Sequence, residues 1–401
     1  MSRRRKRTSL STKFDKLIFV CYISGMNIQR TISIHIEPDK DLQTTVDAYS
    51  LYRQAISPIA FNGGDILSAV DLHNRVYRGV PTTLSAQMRC SAIRSVASAY
   101  VSARTNRKPA KHPFSFKRKT ALFLWGRDAG FTRDNLLSIS TVNGRKKLRF
   151  NIPKYALRDF EAATKINSLT ISGSGEARLC LTLEAPDAAG EIPVGIDLGA
   201  TNALVASTET DTLFISGLST KIHNKRTRKT RQRLNKKLTD KKAQHKDTHG
   251  VRRVLKRLSR KQSNRSRTFC REAAAKLCRW VPANAVLVFE DLRVKQVRRD
   301  RPMRKGTRRK LSQWFFNTMT QACTSRAERC GIAVAYINPA YTSQRCSRCG
   351  QLGIRRGHHF SCSCGHTAHA DVNASHNIRL AFTVLRSSGR KSTRPEVLVN
   401  S

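Results

Sequence analysis

The order of apolar segments predicts a multidomain α/β protein, and three observations carry that reading. Short apolar strands alternate with helical stretches from residue 192 to residue 385, the order expected of helices laid on a sheet. Ahead of them, strand-like pieces flank a long helical run, which predicts a β-domain carrying a helical insertion. Late in the α/β stretch, four cysteines stand at metal-ligand spacing, so a small metal-bound unit is expected there.

The elements follow in order. TISIHIE (Thr31–Glu37) alternates strictly, with Ile32, Ile34 and Ile36 on one face, which marks a half-buried strand. Residues 41–104 read as helix, with apolar residues at mixed three and four spacing, until the basic loop RTNRKPAKHP (104–113) breaks the pattern. Strand-like pieces return over 114–184, such as KLRFNIP (147–153) and ARLCLTLEA (177–185), and EAPDAAGEIP (184–193) reads as a linker. VGIDLGATNALVAST and TLFISG then supply three short strands.

Residues 221–279 change character. The stretch from Lys221 to Cys270 holds twenty Lys or Arg against two Asp. Leu234, Leu238, Val254, Leu255 and Leu258 give it a thin apolar stripe, which predicts a helical hairpin turning near His249-Gly250. With almost no acids for i,i+4 pairing, such a density of cations points to phosphate contact. The candidates are Lys225, Arg226, Arg228, Lys229, Arg231, Arg233, Arg252, Arg253, Arg257, Arg265 and Arg267. ANAVLVFEDL (283–292) is a buried strand, followed by a basic loop over 293–310. A helix from about Leu311 to Arg329 turns Leu311, Trp314, Phe315, Met319 and Ala322 to a core. IAVAYINPAY (332–341) is a strand, DVNASHNIRLAFTVL (371–385) a helix, and residues 386–401 a tail.

Composition narrows the function. Seventy-five Lys+Arg against 27 Asp+Glu leave a net charge of +48, a self-repulsion that a polyanionic partner relieves. Apolar content of 39% is enough for a core and excludes wholesale disorder. The N-terminal basic run and the apolar stretch Leu17–Ile23 only superficially resemble a signal peptide. Asp15 and Lys16 abut a minimal apolar core, and no small-residue cleavage site follows. Residues 1–25 are expected to be a basic flexible tail, or to lie upstream of a start at Met26. No segment is long enough to span a bilayer. Cys21, Cys90, Cys180, Cys270, Cys278, Cys323 and Cys330 are scattered while four others cluster, which suits a reducing cytoplasm and a single metal site.

Acids are scarce enough in the C-terminal half for each to be weighed. Asp197 sits within the strand VGIDLG, Glu290 closes the apolar run AVLVFE, and Asp371 begins the last helix. A carboxylate at such a position needs a cation or hydrogen bonds to compensate its desolvation. Together the three could hold two divalent metals for phosphodiester hydrolysis, and Mg²⁺ suits a set of hard oxygen ligands. Gly195 and Gly199 permit close backbone approach, while Thr201 and Asn202 add donors. Asp291 falls on the opposite face of its strand from Glu290 and reads as a turn residue.

In the cluster itself, Cys346-x₂-Cys349, a twelve-residue gap and Cys362-x-Cys364-Gly365 would close a tetrahedral zinc site. Four thiolates leave no open position, so the zinc would be structural. His366 remains an alternative to one thiolate. His358, His359 and His369 read as surface or phosphate-contacting residues, with His369 two residues from Asp371. Phe114, Phe116 and Trp125 read as core residues ahead of base-stacking ones.

VGIDLGATNALVAS, LVFEDL and ADVNASHNI resemble the three segments of a RuvC-type nuclease with its Asp–Glu–Asp triad. With KQSNRSRTF and TSQRCSRCG, they are similar to the TnpB family of transposon-encoded RNA-guided nucleases, related to compact type V CRISPR effectors. The resemblance is ordered over residues 190–380; the C-x-C half of the ribbon is one residue shorter than the family's usual C-x₂-C. It implies an RNase H-like (RuvC) domain over 191–345 and 367–385, including the basic helical segment 221–280, with a zinc ribbon over 346–366. It also implies a wedge domain of β-barrel type over 26–40 and 111–190, with a helical recognition insertion over 41–110. The activity implied is guide-RNA-directed, Mg²⁺-dependent cleavage of DNA beside a short transposon-adjacent motif. Asp197, Glu290 and Asp371 match the metal-binding triad, and a single site would cut both strands in turn. Partners implied are guide RNA and double- and single-stranded DNA, in a prokaryotic cytoplasm at the nucleoid, with no membrane. Two neighbouring readings stand beside it: a nuclease-silent RNA-guided repressor, and a CRISPR-associated effector of the same architecture.

Overall fold

The computed structural model describes residues 19–21, 27–186 and 190–387, apart from 107–108, 117, 200 and 292–315. The basic loop expected over 293–310, Leu311, Trp314 and Phe315, and the tail beyond 387 lie outside these residues. Two compact units result, Met26–Glu184 and Ala185–Glu396, and the N-terminal strand β1 (Phe19–Cys21) belongs to the second.

In the first unit β2 (Asn27–Ile36) buries Ile32 and Ile34 and turns Ser33 and His35 outward, as its strict alternation requires. Three helices follow: α1 (Lys40–Phe61), α2 (Ala69–Val76) and α3 (Ala86–Thr105). Each starts where a side chain accepts an otherwise unpaired backbone N–H: Asp39 from Leu42, Ser68 from Asp71 and Ser85 from Met88. The chain returns through β3 (Thr120–Leu124), β4 (Ala129–Phe131), β5 (Leu137–Thr141), β6 (Gly144–Leu148), β7 (Phe150–Asn151), α4 (Lys154–Glu161), β8 (Ala163–Ser172) and β9 (Ala177–Glu184). The order β3–β8–β9–β2–β7 makes one antiparallel sheet, and β4–β5–β6 a second. Ile32 lies opposite Leu179 and Ile34 opposite Ala177, so the apolar faces of β2 and β9 share one core with Tyr49, Ile56, Ile93 and Tyr100 of the helices. Phe114, Phe116 and Trp125 are partly buried against it; Phe114 stacks on Tyr100 at 4.4 Å, and the Arg53 guanidinium lies 4.1 Å from the Phe116 ring.

The second unit is built on β10 (Ile192–Asp197), β11 (Asn202–Ser207) and β12 (Thr212–Ser216), then α5 (Leu218–Ala243) and α6 (His249–Trp280). Next come β13 (Ala285–Glu290), α7 (Phe316–Arg329) and β14 (Ala333–Ile337). The short strands β15 (Ile354–Arg356), β16 (His359–Ser361) and β17 (Thr367–His369) and helix α8 (Ala370–Ser387) complete it. The main sheet has the order β1–β14–β13–β10–β11–β12, with β10, β13 and β14 parallel at its centre and the other pairs antiparallel. Residues Ala285 to Phe289 of β13 are all buried, as a parallel strand covered on both faces should be. One face packs against Cys270, Ala273, Ala274 and Leu277 of α6 and Met319, Cys323 and Ala327 of α7. The other face meets Ile378 and Phe382 of α8 through Val286, Val288, Ala333 and Ala335. Gly195 permits that helix to settle: a Cβ there would fall 2.0 Å from the Ser375 carbonyl oxygen.

The structure corrects three boundaries. Phe19–Cys21, expected within a flexible tail, pairs antiparallel with β14 as an edge strand; its short apolar run finds an unpaired sheet edge. The hairpin turns at residues 244–248, ahead of His249-Gly250, which open α6. The reversal needs no glycine, because His245 adopts the left-handed conformation (φ 51°) and Asp247 accepts the His249 N–H at 2.9 Å. The ribbon, expected to close at residue 366, continues through β17 to His369, since β16 needs a second neighbour and pairs Phe360 with Ala368.

Candidate functional site

Asp197 and Glu290 are the last residues of β10 and β13. These strands are parallel, and Ile196 pairs with Phe289, so the register sets the two acids side by side at the carboxyl edge of the sheet. That edge is where open α/β sheets hold ligands. Asp371 reaches it from the first turn of α8 and is 4% exposed. The tight packing at Gly195 accounts for this placement, because Ser375 lies one helical turn beyond Asp371.

Among the described residues, Arg355 is the cation that compensates Asp371 and, at longer range, Asp197. Arg355 of β15 donates to Asp371 Oδ1 at 2.7 Å, and Asn202 donates to Oδ2 at 2.9 Å. Burial pushes the Asp197 carboxyl up to about 8; the charges of Glu290 and then Asp371 add to the rise, and Arg355 opposes it. Burial also raises Glu290, against a hydrogen bond donated by the Thr342 hydroxyl to Oε1. Buried oxygen donors held against their own repulsion are a donor set that hard divalent cations fit. Asp291, beside Glu290, donates its backbone N–H to Ile337 at 2.9 Å and continues the strand ladder.

Two imidazoles border the acids. His369 Nδ1 accepts the Asp371 N–H at 3.2 Å, and His358 Nδ1 lies 4.0 Å from Asp371 Oδ2. Their rings stack at 5.3 Å and 23°. Near-parallel rings direct their lone pairs into separate planes, and the His369 lone pair already holds a backbone N–H. One ligand atom from each of His358, His369 and Asp371 lies within 4.8 Å of the others, so the pair borders the carboxylate cluster. His359 pairs with His369 across the β16–β17 ladder and is exposed. Arg355 and Thr342 carry no signal in the sequence: one is among several ribbon arginines, the other a common hydroxyl.

The four cysteines converge. Cys346 Sγ is 3.8 Å from Cys364 Sγ and Cys349 Sγ 3.6 Å from Cys362 Sγ, and all four lie within 4.8 Å of one another. Tetrahedral zinc with Zn–S of about 2.3 Å sets sulfurs about 3.8 Å apart. Gly350 and Gly365, at φ 76° and 82°, make the two tight knuckle turns. The thiols share protons among themselves, so that the Cys364 backbone N–H and its thiol neighbours draw Cys362 down while the same neighbours raise Cys349 against the Gln351 backbone N–H. The structure thus brings Cys364, and not His366, to the other three; His366 Nε2 faces Ser347 Oγ at 3.4 Å.

The basic hairpin α5–α6 keeps its apolar stripe half-buried between the helices, and apart from Arg231 the candidate phosphate-contacting residues are exposed. Arg231 instead crosses to α6, donating to Ser259 at 3.0 Å and Gln262 at 3.3 Å. Among the described residues, none of the exposed candidates pairs with a carboxylate. At the foot of the hairpin, Ser219, His223, Arg257, Arg260, Lys261 and Arg265 line a groove of about 650 Å³.

Known proteins resemble parts of this chain in sequence and fold. Residues 178–301 match the OrfB_IS605 family model, described as a probable transposase, and residues 316–378 match the Cas12f1-like TNB domain. The CRISPR-associated endodeoxyribonuclease Cas12f1 of Sulfoacidibacillus thermotolerans is 45% identical over 74 residues, 18% of this chain and 18% of that protein. A TnpB-like protein of Aquifex aeolicus (strain VF5) is 30% identical over 122 residues, 29% of this chain and 39% of that protein. The matched segments thus span well under two thirds of either relative. The structure of the mini RNA-guided endonuclease CRISPR-Cas phi3 superposes at a TM-score of 0.55 and 13% identity, covering 93% of this chain and 94% of that one. The chain is a multidomain α/β protein whose fold resembles that of a CRISPR-associated nuclease and whose matched segments resemble transposon-encoded and CRISPR-associated proteins. Within this chain, residues 178–301 are similar to transposon-encoded proteins and residues 316–378 to the Cas12f1-like domain. No helix among the described residues is long and apolar enough to cross a membrane.

Proposed function

We propose that this protein is an RNA-guided, divalent-metal-dependent DNA endonuclease of a mobile element, cutting DNA beside a short transposon-adjacent motif through one Asp197–Glu290–Asp371 site. The observation that carries the reading is the cluster of half-buried Asp197 and Glu290, at the ends of adjacent parallel strands, with buried Asp371 in a chain of net charge +48. A demand for cations at that edge, beyond what Arg355 supplies, accounts for their cost. The sheet, with its parallel centre and helices on both faces, supports an RNase H-like (RuvC) domain. The antiparallel unit with its three helices supports a wedge domain and recognition insertion. Four convergent thiols support a structural zinc.

Asp197, Glu290 and Asp371 would hold two Mg²⁺ ions, which when bound stabilise the charge that develops on the attacking and leaving oxygens of a phosphodiester. The chain's own residues supply the rest. Asn202 and Arg355 orient Asp371, Thr342 orients Glu290, and the exposed cations of α5 and α6 neutralise the phosphates of the guide RNA and its DNA target. Recognition of the guide–target heteroduplex would rest on shape and backbone charge, and the displaced single strand would track basic surface. The cellular setting would be a prokaryotic cytoplasm, at the nucleoid.

The test is to purify the chain with its co-expressed RNA, sequence that RNA, and challenge the complex with a matching plasmid library in Mg²⁺. Cleavage that requires Mg²⁺ and is lost in Asp197→Ala is expected. No cleavage by the wild type, or undiminished cleavage by Asp197→Ala, overturns the reading.

A further inference from the structure

We infer that Thr342 is a positioning residue for the carboxylate centre: its hydroxyl fixes the orientation of Glu290, and its loss weakens divalent-metal binding there. This rests on the proposed metal site. Thr342 lies in the stem between β14 and the ribbon and is only 7% exposed. Its Oγ1 donates to Glu290 Oε1 and also lies 3.2 Å from the Pro339 carbonyl. The hydroxyl has one proton to give, and an ionised carboxylate is the stronger acceptor. A Glu side chain at a strand end has three rotatable bonds. Anchoring one oxygen removes most of that freedom and leaves Oε2 for a cation.

The stem is itself held in place, so the hydroxyl is a fixed donor. Asn377 Nδ2 donates to the Thr342 carbonyl at 2.8 Å and the Arg345 carbonyl at 2.7 Å, and Asn373 Nδ2 donates to the Arg345 carbonyl at 2.7 Å. Asn373 Oδ1 accepts the Ser347 N–H at 2.9 Å, in the first zinc knuckle. Both asparagines project from α8, the helix that begins with Asp371. One stem therefore ties the second acid, the third acid's helix and the ribbon into a single frame. The arrangement gives a small hydroxyl a role that its sequence position does not show.

Two substitutions separate orientation from packing. Thr342→Val keeps the volume and removes the donor; Thr342→Ser keeps the donor and removes a methyl group. The full-length zinc-replete chain, freed of nucleic acid, is titrated with Mn²⁺, and free Mn²⁺ is read by electron paramagnetic resonance. Glu290→Gln marks the signal that belongs to the site, and circular dichroism checks folding. A lost hydrogen bond to a charged group implies about tenfold weaker Mn²⁺ binding in Thr342→Val. Thr342→Ser should stay within about threefold of wild type, and in the RNA complex the Mg²⁺ half-saturation of plasmid cleavage should rise in the same order. Wild-type Mn²⁺ affinity in Thr342→Val, or equal loss in both variants, overturns the inference while leaving the metal site standing. Unchanged Mn²⁺ binding in Glu290→Gln overturns the metal site and the inference together. If Thr342→Val does not fold, Thr342→Ala takes its place under the same criteria.

Discussion

Asp197→Asn should stabilise the protein in the absence of Mg²⁺, and the gain should grow with pH. The Asp197 carboxyl is raised from 3.8 to about 8, chiefly by burial, so the folded state keeps a proton that the unfolded chain has released. A group raised in this way contributes least below its unfolded value, and its burden on folding mounts as pH climbs toward the folded value. Each pH unit in that window is about 1.4 kcal/mol, and the window is roughly four units wide, so the ceiling is about 5–6 kcal/mol. The repulsion is shared with Glu290 and Asp371, which lowers the expected gain near pH 8 to about 2–4 kcal/mol. For a unit the size of Ala185–Glu396 that is roughly 5–10 °C in Tm, and the gain falls to about 1 kcal/mol or less near pH 4.5. The assay is differential scanning calorimetry of both proteins from pH 4.5 to 8, zinc-replete and without a chelator that would strip the ribbon. Added Mg²⁺ should reverse the order, because the wild type gains binding energy that the variant lacks. A gain that is flat with pH, or no gain at pH 8, refutes the argument that these acids are buried against one another.

Metal analysis should find about one zinc per chain; Cys364→Ser should lose it and His366→Ala should keep it, and the opposite pattern would reassign the fourth ligand. Gly195→Ala should destabilise the second unit by more than about 3 kcal/mol, since its Cβ would meet a backbone oxygen at 2.0 Å; a wild-type melting curve would show that α8 sits farther from β10. Arg257→Gln and Arg265→Gln should each lower nucleic-acid affinity for all sequences alike and reduce the salt slope by about one per contact, measured by filter binding across salt concentrations. Arg231→Gln should instead act mainly on stability, through its lost bonds to Ser259 and Gln262.

The strands and helices were legible where periodicity was strong. TISIHIE announces β2, and AVLVFE announces a doubly covered strand, because burial on one face or two leaves its period in the sequence. The hairpin turn falls just ahead of His249-Gly250, because His245 takes the left-handed conformation there. Phe19–Cys21 was read as tail because three residues next to a basic run carry no period, and only the free edge of β14 makes them a strand. Scarcity made Asp197, Glu290 and Asp371 visible as individuals. Their convergence is expected from their chemistry and from the resemblance, but not from their spacing, since it depends on a parallel register between strands more than eighty residues apart and on one glycine that admits α8. Arg355, Asn373, Asn377 and Thr342 were invisible for the same reason: each matters through what the fold sets beside it.

These partners change what the ribbon is for. Four cysteines would leave a bound zinc no open position, so its contribution would be mechanical. The contacts show where the force goes. The first knuckle is bonded to Asn373, the stem to Asn377 and Glu290, and the β15 arginine to Asp371. A ribbon merely attached to the domain would need none of these bonds, and could be stripped of zinc without effect on the acids. A ribbon that frames them cannot be, because releasing the knuckle frees the stem, and with it the donors to Glu290 and Asp371. Loss of zinc should therefore weaken Mn²⁺ binding at the carboxylates before the main sheet melts, since the sheet's core of Val286, Val288, Ile378 and Phe382 is built without the ribbon.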